Sequence, residues 1–134
     1  MDKFSVLQQY FGHSSFRPGQ EQVVDAIVSG QDVLGVMPTG AGKSVCYQVP
    51  AMLMPGLTLV ISPLISLMQD QVAALEEEGV HAACLNSALP EGLYSTILRA
   101  ALEGDYKILY VAPERLPTDS FLYLAMHARI AFVA

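Results

Sequence analysis

The stretch Val33 to Ser44, VLGVMPTGAGKS, joins an apolar run of strand type to a turn made of Pro and Gly, and then to Gly-Lys-Ser. Val33, Leu34, Val36 and Met37 predict a short buried strand, which Pro38 to Gly42 cannot continue without losing a ladder donor or incurring glycine's entropy cost. A tight loop must follow. Gly40 and Gly42 lack a Cβ, so the backbone of Pro38, Thr39, Gly40, Ala41 and Gly42 can curl until several N–H groups face one concavity, a nest for phosphate oxygens. Lys43 adds a mobile cation for the terminal phosphates, and the Ser44 hydroxyl is a ligand for Mg²⁺. A helix starting near Gly42 would point the positive end of its dipole at the same anion.

The strict pattern G-x-x-x-x-G-K-[ST] has its first Gly where this chain has Met37. Met37 is read as the last residue of the strand, and the two glycines that approach the phosphate are both present. The competing reading is a Gly-rich turn with an ordinary solvated Lys. The strand signal before the loop and the helical apolar segment after it (Val45, Cys46, Tyr47, Val49) argue for the phosphate site.

Composition supports an α/β core. Of 134 residues, 52% are hydrophobic and only 15% charged, which suits one domain with buried parallel strands. The formal net charge of −6 argues against binding a polyanion by bulk electrostatics, so nucleic-acid contacts must be local and groove-like or need further domains. The two cysteines, Cys46 and Cys84, fit no metal spacing and read as buried thiols in a reducing compartment. No apolar run reaches bilayer length, and MDKFSVLQQYFG has neither the core nor the cleavage site of a secretory signal. The expectation is a soluble, cytoplasmic protein without a membrane partner.

Periodicity lays out the rest of the chain. Phe4, Leu7 and Phe11 form a helical stripe that Gly12 ends, and Pro18 suits the first turn of a second helix carrying Val23, Ala26 and Ile27 up to Gly30. After the phosphate-loop helix, bounded by Pro50 and Pro55, Leu57 to Ile61 is a β-branched strand without a charge. Ser62 and Pro63 read as cap and first turn of a helix carrying Leu64, Leu67, Met68, Val72 and Leu75 up to Gly79. His81 to Leu85 is a weaker strand, followed by a helix through Leu93, Ile97 and Ala101. Tyr106 to Val111 is a strong strand, APERLP a turn, Asp119 to Ala128 a short helix and Arg129 to Ala134 a last apolar strand. Strands alternating with helices at this spacing predict βαβ crossovers and a parallel sheet.

With these motifs in order, the chain resembles the N-terminal half of the first RecA-like domain of RecQ-type ATP-dependent DNA helicases, a superfamily 2 group. FRPGQ (Phe16 to Gln20) is similar to the family's adenine-recognising motif 0, and MPTGAGKS to its motif I, with an apolar residue where other P-loops place Gly. SPLISLMQDQV (Ser62 to Val72) is similar to motif Ia and VAPERL (Val111 to Leu116) to motif Ib. The resemblance implies an α/β P-loop NTPase fold, a RecA-like parallel sheet flanked by helices and incomplete at the C-terminal end. It divides the chain into N-terminal helices over 1–30 with motif 0 and a P-loop core over 31–134 that ends before Walker B.

The resemblance also assigns roles. Lys43 would sit on the β and γ phosphates of ATP, Ser44 on Mg²⁺, and Gln20 and Arg17 on adenine, with His13 where many relatives place a stacking aromatic residue. An amide gives and takes hydrogen bonds at once, which suits adenine's Hoogsteen edge; alone, Gln20 and Arg17 also fit a plain surface pair at a helix start. Ser62, Pro63 and Leu64, Asn86 and Ser87, and Pro113, Glu114 and Arg115 would touch the backbone of single-stranded or forked DNA from the sheet edge that carries the phosphate loop. Glu114 is expected to pair with a nearby Arg or loop amide rather than to perform chemistry. In the family the strand at RIAFVA runs into an Asp-Glu-Ala-His motif that handles Mg²⁺ and activates water, and this sequence stops short of it. Little ATPase or helicase activity is therefore expected of the chain without the rest of the helicase core. Two other functions share the P-loop: a nucleotide-binding or regulatory module that never hydrolyses, and a small-molecule kinase, which explains neither FRPGQ nor the Ia and Ib turns.

Overall fold

The structure is a computed structural model that describes residues 1–37 and 42–134. Pro38, Thr39, Gly40 and Ala41, four of the expected phosphate-cradle positions, lie outside the described residues. The chain forms two compact units, Met1–Pro55 and Gly56–Ala134.

The first unit holds α1 (Lys3–Phe11), α2 (Gln20–Val28) and α3 (Lys43–Leu53). The Asp2 carboxylate accepts the Ser5 N–H at 2.7 Å, satisfying one of the donors that a helix start leaves without an intrahelical partner. Gly12, at φ 72°, closes α1 in the left-handed conformation. The Lys3 ammonium lies 2.7 Å from carboxylate oxygens of both Glu21 and Asp25, tying α1 to α2. Val6, Leu7, Val24 and Val49 form the core of this unit. Two details correct the sequence reading. Leu7 of the expected stripe is buried, but Phe4 is 48% exposed and Val6 is buried in its stead, and Pro50 lies inside α3 rather than at its boundary. Proline removes one intrahelical donor, and α3 accommodates it where Val49, Pro50 and Ala51 are all buried.

A larger correction concerns the run before the phosphate loop. Residues 31–37 form no strand, and Leu34 and Val36 are 92% and 88% exposed. An apolar run becomes a strand only when its backbone makes the ladder hydrogen bonds, and apolar composition alone does not supply them. Met37 is accordingly not a strand residue. It is half-buried, with its sulfur 3.9 Å from the Cys46 Sγ of α3.

The second unit is the α/β body. It contains β1 (Leu57–Ile61), α4 (Ile65–Glu77), β2 (Ala82–Leu85), α5 (Glu91–Leu102), β3 (Ile108–Val111), α6 (Asp119–His127) and β4 (Ile130–Val133). Among the described residues the sheet has four strands in the order β2-β3-β1-β4, and every pair is parallel. Alternation along each strand sorts side chains to opposite faces. Leu57, Leu59, Ala83, Leu85, Leu109 and Val111 pack with Tyr94, Ile97 and Ala101 of α5 and Phe121 and Leu124 of α6. From the other face the Tyr110 hydroxyl reaches Gln71 Oε1 of α4 at 3.4 Å. The central strand β3 is fully buried, as its uninterrupted ILYV predicts.

Gly56 needs its glycine. Its φ is +101°, and a Cβ there would stand 2.8 Å from the Arg129 carbonyl oxygen, the acceptor of the Leu57 N–H at 2.7 Å. This close approach starts the β1–β4 pairing. The expected Ser62–Pro63 cap is displaced: the N-cap of α4 is Leu64, and the Ser62 hydroxyl accepts the Leu64 N–H at 3.4 Å, shaping the turn before the helix.

Candidate functional site

The described residues expected on the nucleotide side, His13 apart, gather at the head of α3. Gly42 is its N-cap, at φ 78° and ψ 42°, and no acid sits in its first turn. Lys43 and Ser44 are the first two helical residues, Lys43 exposed and Ser44 half-buried. A cation at the positive end of a helix dipole is unfavourable by itself.

FRPGQ is folded onto this helix head. Gly19, at φ 88°, is the N-cap of α2 and aims Gln20 back along the chain. The Gln20 Oε1 accepts the Arg17 backbone N–H at 2.7 Å, and its Nε2 donates to the Gly42 carbonyl at 2.9 Å. The side chain is buried, and the two bonds fix the plane of its amide. A Cβ on Gly42 would fall 2.5 Å from Gln20 Nε2 and 3.7 Å from Arg17 Nη1. Glycine here provides both the left-handed backbone and the room for Gln20. Gln20, Arg17, Gly42, Lys43 and Ser44 are thus brought to one place. His13 stands exposed on the loop after α1, its N–H donating to the Leu7 carbonyl at 3.3 Å. Burial pushes the Cys46 thiol up, so this cysteine beside the helix head stays protonated at neutral pH.

The second cluster lies along one edge of the α/β unit. Because β1, β2 and β3 are parallel and in register at Ile61–Val111 and Leu85–Val111, their exits emerge side by side. The ladder continues one residue further. Ser62 N–H donates to the Val111 carbonyl at 3.1 Å, and Ala112 N–H to the Leu85 carbonyl at 2.9 Å. The residues 86–87, 113–115 and 62–64 therefore form a row in that order.

Within the row each residue behaves differently. Pro63 and Leu64 are exposed. Asn86 is 1% exposed, and its Oδ1 accepts the Ala88 N–H at 2.9 Å, so its amide shapes the loop rather than facing solvent. Glu114 pairs with a loop amide, as its position in the turn predicts. The Ser87 N–H and hydroxyl both donate to Glu114 Oε1, at 3.3 and 3.0 Å. These bonds, after that from its own backbone N–H, hold the Glu114 carboxyl below the usual carboxylate range. Pro113 opens the 3-10 turn Pro113–Arg115. The Arg115 guanidinium lies 4.9 Å over the Tyr94 ring of α5, and its buried Nε has no hydrogen-bond partner among the described residues. Which loop amide Glu114 takes, and the Arg115–Tyr94 stack, were not legible in the sequence, since both depend on tertiary packing.

Among the described residues no cluster of His, Cys, Asp or Glu could hold a metal ion, and no helix is long and apolar enough to cross a membrane.

Known proteins are similar in sequence over nearly the whole chain. The chain is 49% identical over 130 residues to the "ATP-dependent DNA helicase RecQ" of Haemophilus influenzae, covering 97% of this chain and 21% of that protein. It is 50% identical over 129 residues to the protein of the same name from Pasteurella multocida, covering 96% of this chain and 20% of that one. With the RecQ of Bacillus subtilis the identity is 44% over 131 residues, covering 97% and 22%. The chain spans about a fifth of the length of these relatives. The family described as DEAD/DEAH box helicase matches residues 17–129, from the Arg of FRPGQ to the residue before β4. A match of that extent is more than a shared loop, and the chain belongs to the DEAD/DEAH box helicase family.

Proposed function

We propose that this chain is the ATP-handling part of a RecQ-type helicase that couples ATP hydrolysis to 3′–5′ movement on DNA in recombination and repair. In this reading it is a partial first RecA-like domain and needs the rest of the helicase core. The observation that carries it is the Gln20–Gly42 hydrogen bond at 2.9 Å, which joins an adenine-side motif to the residue capping the Lys43–Ser44 helix head. The bond ties the two expected sites to each other, so a single nucleotide could meet both.

Each residue then has a task. Lys43 neutralises the β and γ phosphates, helped by the first-turn N–H groups of α3 and the loop at 38–42. The Ser44 hydroxyl is a hard oxygen donor, which suits Mg²⁺, an ion that keeps most of its ligands as water and phosphate oxygens. Bound Mg²⁺ would supply charge neutralisation on the transferring phosphoryl group. Gln20, its amide plane fixed by Arg17 and Gly42, reads adenine, with Arg17 and His13 alongside. The row formed by Ser62 to Leu64, Ser87 and Pro113 to Arg115 meets the backbone of single-stranded or forked DNA through hydroxyl, N–H and guanidinium donors without reading sequence. Asn86 serves this row by fixing the Ser87 loop. The two free thiols and the absence of a membrane-crossing helix among the described residues are compatible with work in the cytoplasm.

The test is titration of this polypeptide with a fluorescent ATP analogue, alongside DNA-stimulated phosphate release by the intact helicase. Saturable binding that Lys43→Ala and Gln20→Ala both weaken supports the reading. Binding indifferent to both substitutions sinks it.

A further inference from the structure

The Ser87–Glu114 contact has the chemistry of an anion site. A backbone N–H and a hydroxyl of one residue converge on a single carboxylate oxygen, at 3.3 and 3.0 Å, the donor pair that commonly receives a phosphate oxygen of a nucleic-acid backbone. We propose that Glu114 is a displaceable stand-in for phosphate: in the DNA-free protein its carboxylate occupies the seat at Ser87 that a phosphate oxygen of single-stranded DNA takes, and so sets the affinity of this edge. The proposal rests on the reading of the edge as the DNA-contacting row.

Three observations favour a removable anion over a structural tie. The contact is loose, since a hydroxyl bound to a carboxylate ordinarily approaches to about 2.5–2.7 Å. Both residues are exposed, so the carboxylate leaves for water without a burial cost. The loop also keeps its shape without Glu114. Asn86 Oδ1 holds the Ala88 N–H at 2.9 Å, and Ala112 N–H holds the Leu85 carbonyl at 2.9 Å. Ser87 therefore stays presented when Glu114 swings out. Arg115, next to it in the chain, remains seated on Tyr94. A fixed negative charge at this seat repels an incoming phosphate at short range, and salt screens that repulsion.

The measurement is fluorescence anisotropy of labelled oligo(dT) with the intact helicase, without nucleotide, at low and moderate salt. Glu114→Gln keeps the acceptor and removes the charge. It should tighten binding about three- to tenfold at low salt, and less at moderate salt. Adding Ser87→Ala should abolish that gain, with unchanged circular dichroism and melting in each variant. If Glu114→Gln binds equally or more weakly while Arg115→Ala weakens binding, the edge contacts DNA but Glu114 does not occupy its seat. If Glu114→Gln, Ser87→Ala and Arg115→Ala all bind like the parent protein, the DNA-contacting edge itself is wrong, and the proposal falls with it.

Discussion

The Gln20 amide and the Gly42 carbonyl meet at 2.9 Å, so the heads of α2 and α3 share one buried hydrogen bond. Gln20→Ala leaves that carbonyl and the Arg17 N–H without their partner, at a cost of about 1–3 kcal/mol. Gln20→Glu has the same shape but turns an oxygen toward the Gly42 carbonyl, and it is expected to be at least as damaging. Chemical denaturation gives the stability change. Titration with a fluorescent ATP analogue should show affinity falling roughly tenfold in both variants.

Glycine substitutions should act in opposite directions at two positions. Gly42→Ala places a Cβ 2.5 Å from Gln20 Nε2 at φ +78°, so it strains the backbone by about 1–2 kcal/mol and expels the Gln20 amide. Gly92, in α5, has nothing within 4 Å of the equivalent position. Gly92→Ala should stabilise the chain by up to about 1 kcal/mol through helix propensity alone. Denaturation midpoints of the two variants should move apart from that of the parent chain.

The anchoring of α1 should fail at both extremes of pH. Hydrogen bonds from the Ser5 backbone N–H and hydroxyl hold the Asp2 carboxyl below its ordinary 3.8, so that cap is fully present above this value and is lost as pH falls through the lower folded value. Hydrogen bonds to Asp25 and Glu21 raise the Lys3 ammonium above its ordinary 10.5. That contribution is complete below 10.5 and is lost as pH rises through the folded value. Amide exchange of residues 3–11 followed against pH should show two limbs. Lys3→Met should erase the alkaline limb, and Asp2→Ala should shallow the acid one.

Lys43 is exposed at the helix head, so Lys43→Ala should leave folding untouched while weakening binding of the ATP analogue at least tenfold. Phosphate release by this polypeptide alone should stay near background. A Lys43-dependent, DNA-stimulated turnover from these residues by themselves would contradict that expectation.

The sequence and the structure agree best where burial is two-sided. LTLVI and ILYV are apolar at every position because parallel strands are covered on both faces, and both are found as central strands. VLGVM is likewise a mostly apolar run but is not a strand, because composition says what a segment can bury and not whether its backbone makes ladder hydrogen bonds. FRPGQ was legible as a motif, and the structure adds what it grips. Asn86 looked like a polar contact, yet its amide is consumed by the turn it makes, a local bond that composition cannot distinguish from exposure. The Ser87–Glu114 pair, 27 residues apart, depends on the alignment of β2 with β3, which no local pattern encodes.

That alignment has a consequence for how the molecule can change. Parallel strands sit about 4.8 Å apart, and one residue advances a strand by about 3.3 Å while reversing its faces. The pairing of Leu85 and Ile61 with Val111 therefore makes the sheet a ruler that spaces its three exit loops. Substitution in the loops alters what each tooth of this comb holds. Insertion of one residue within β3 would turn Val111 out of the core and move the 113–115 turn off its mark, so this edge is free to vary in chemistry and bound in pitch.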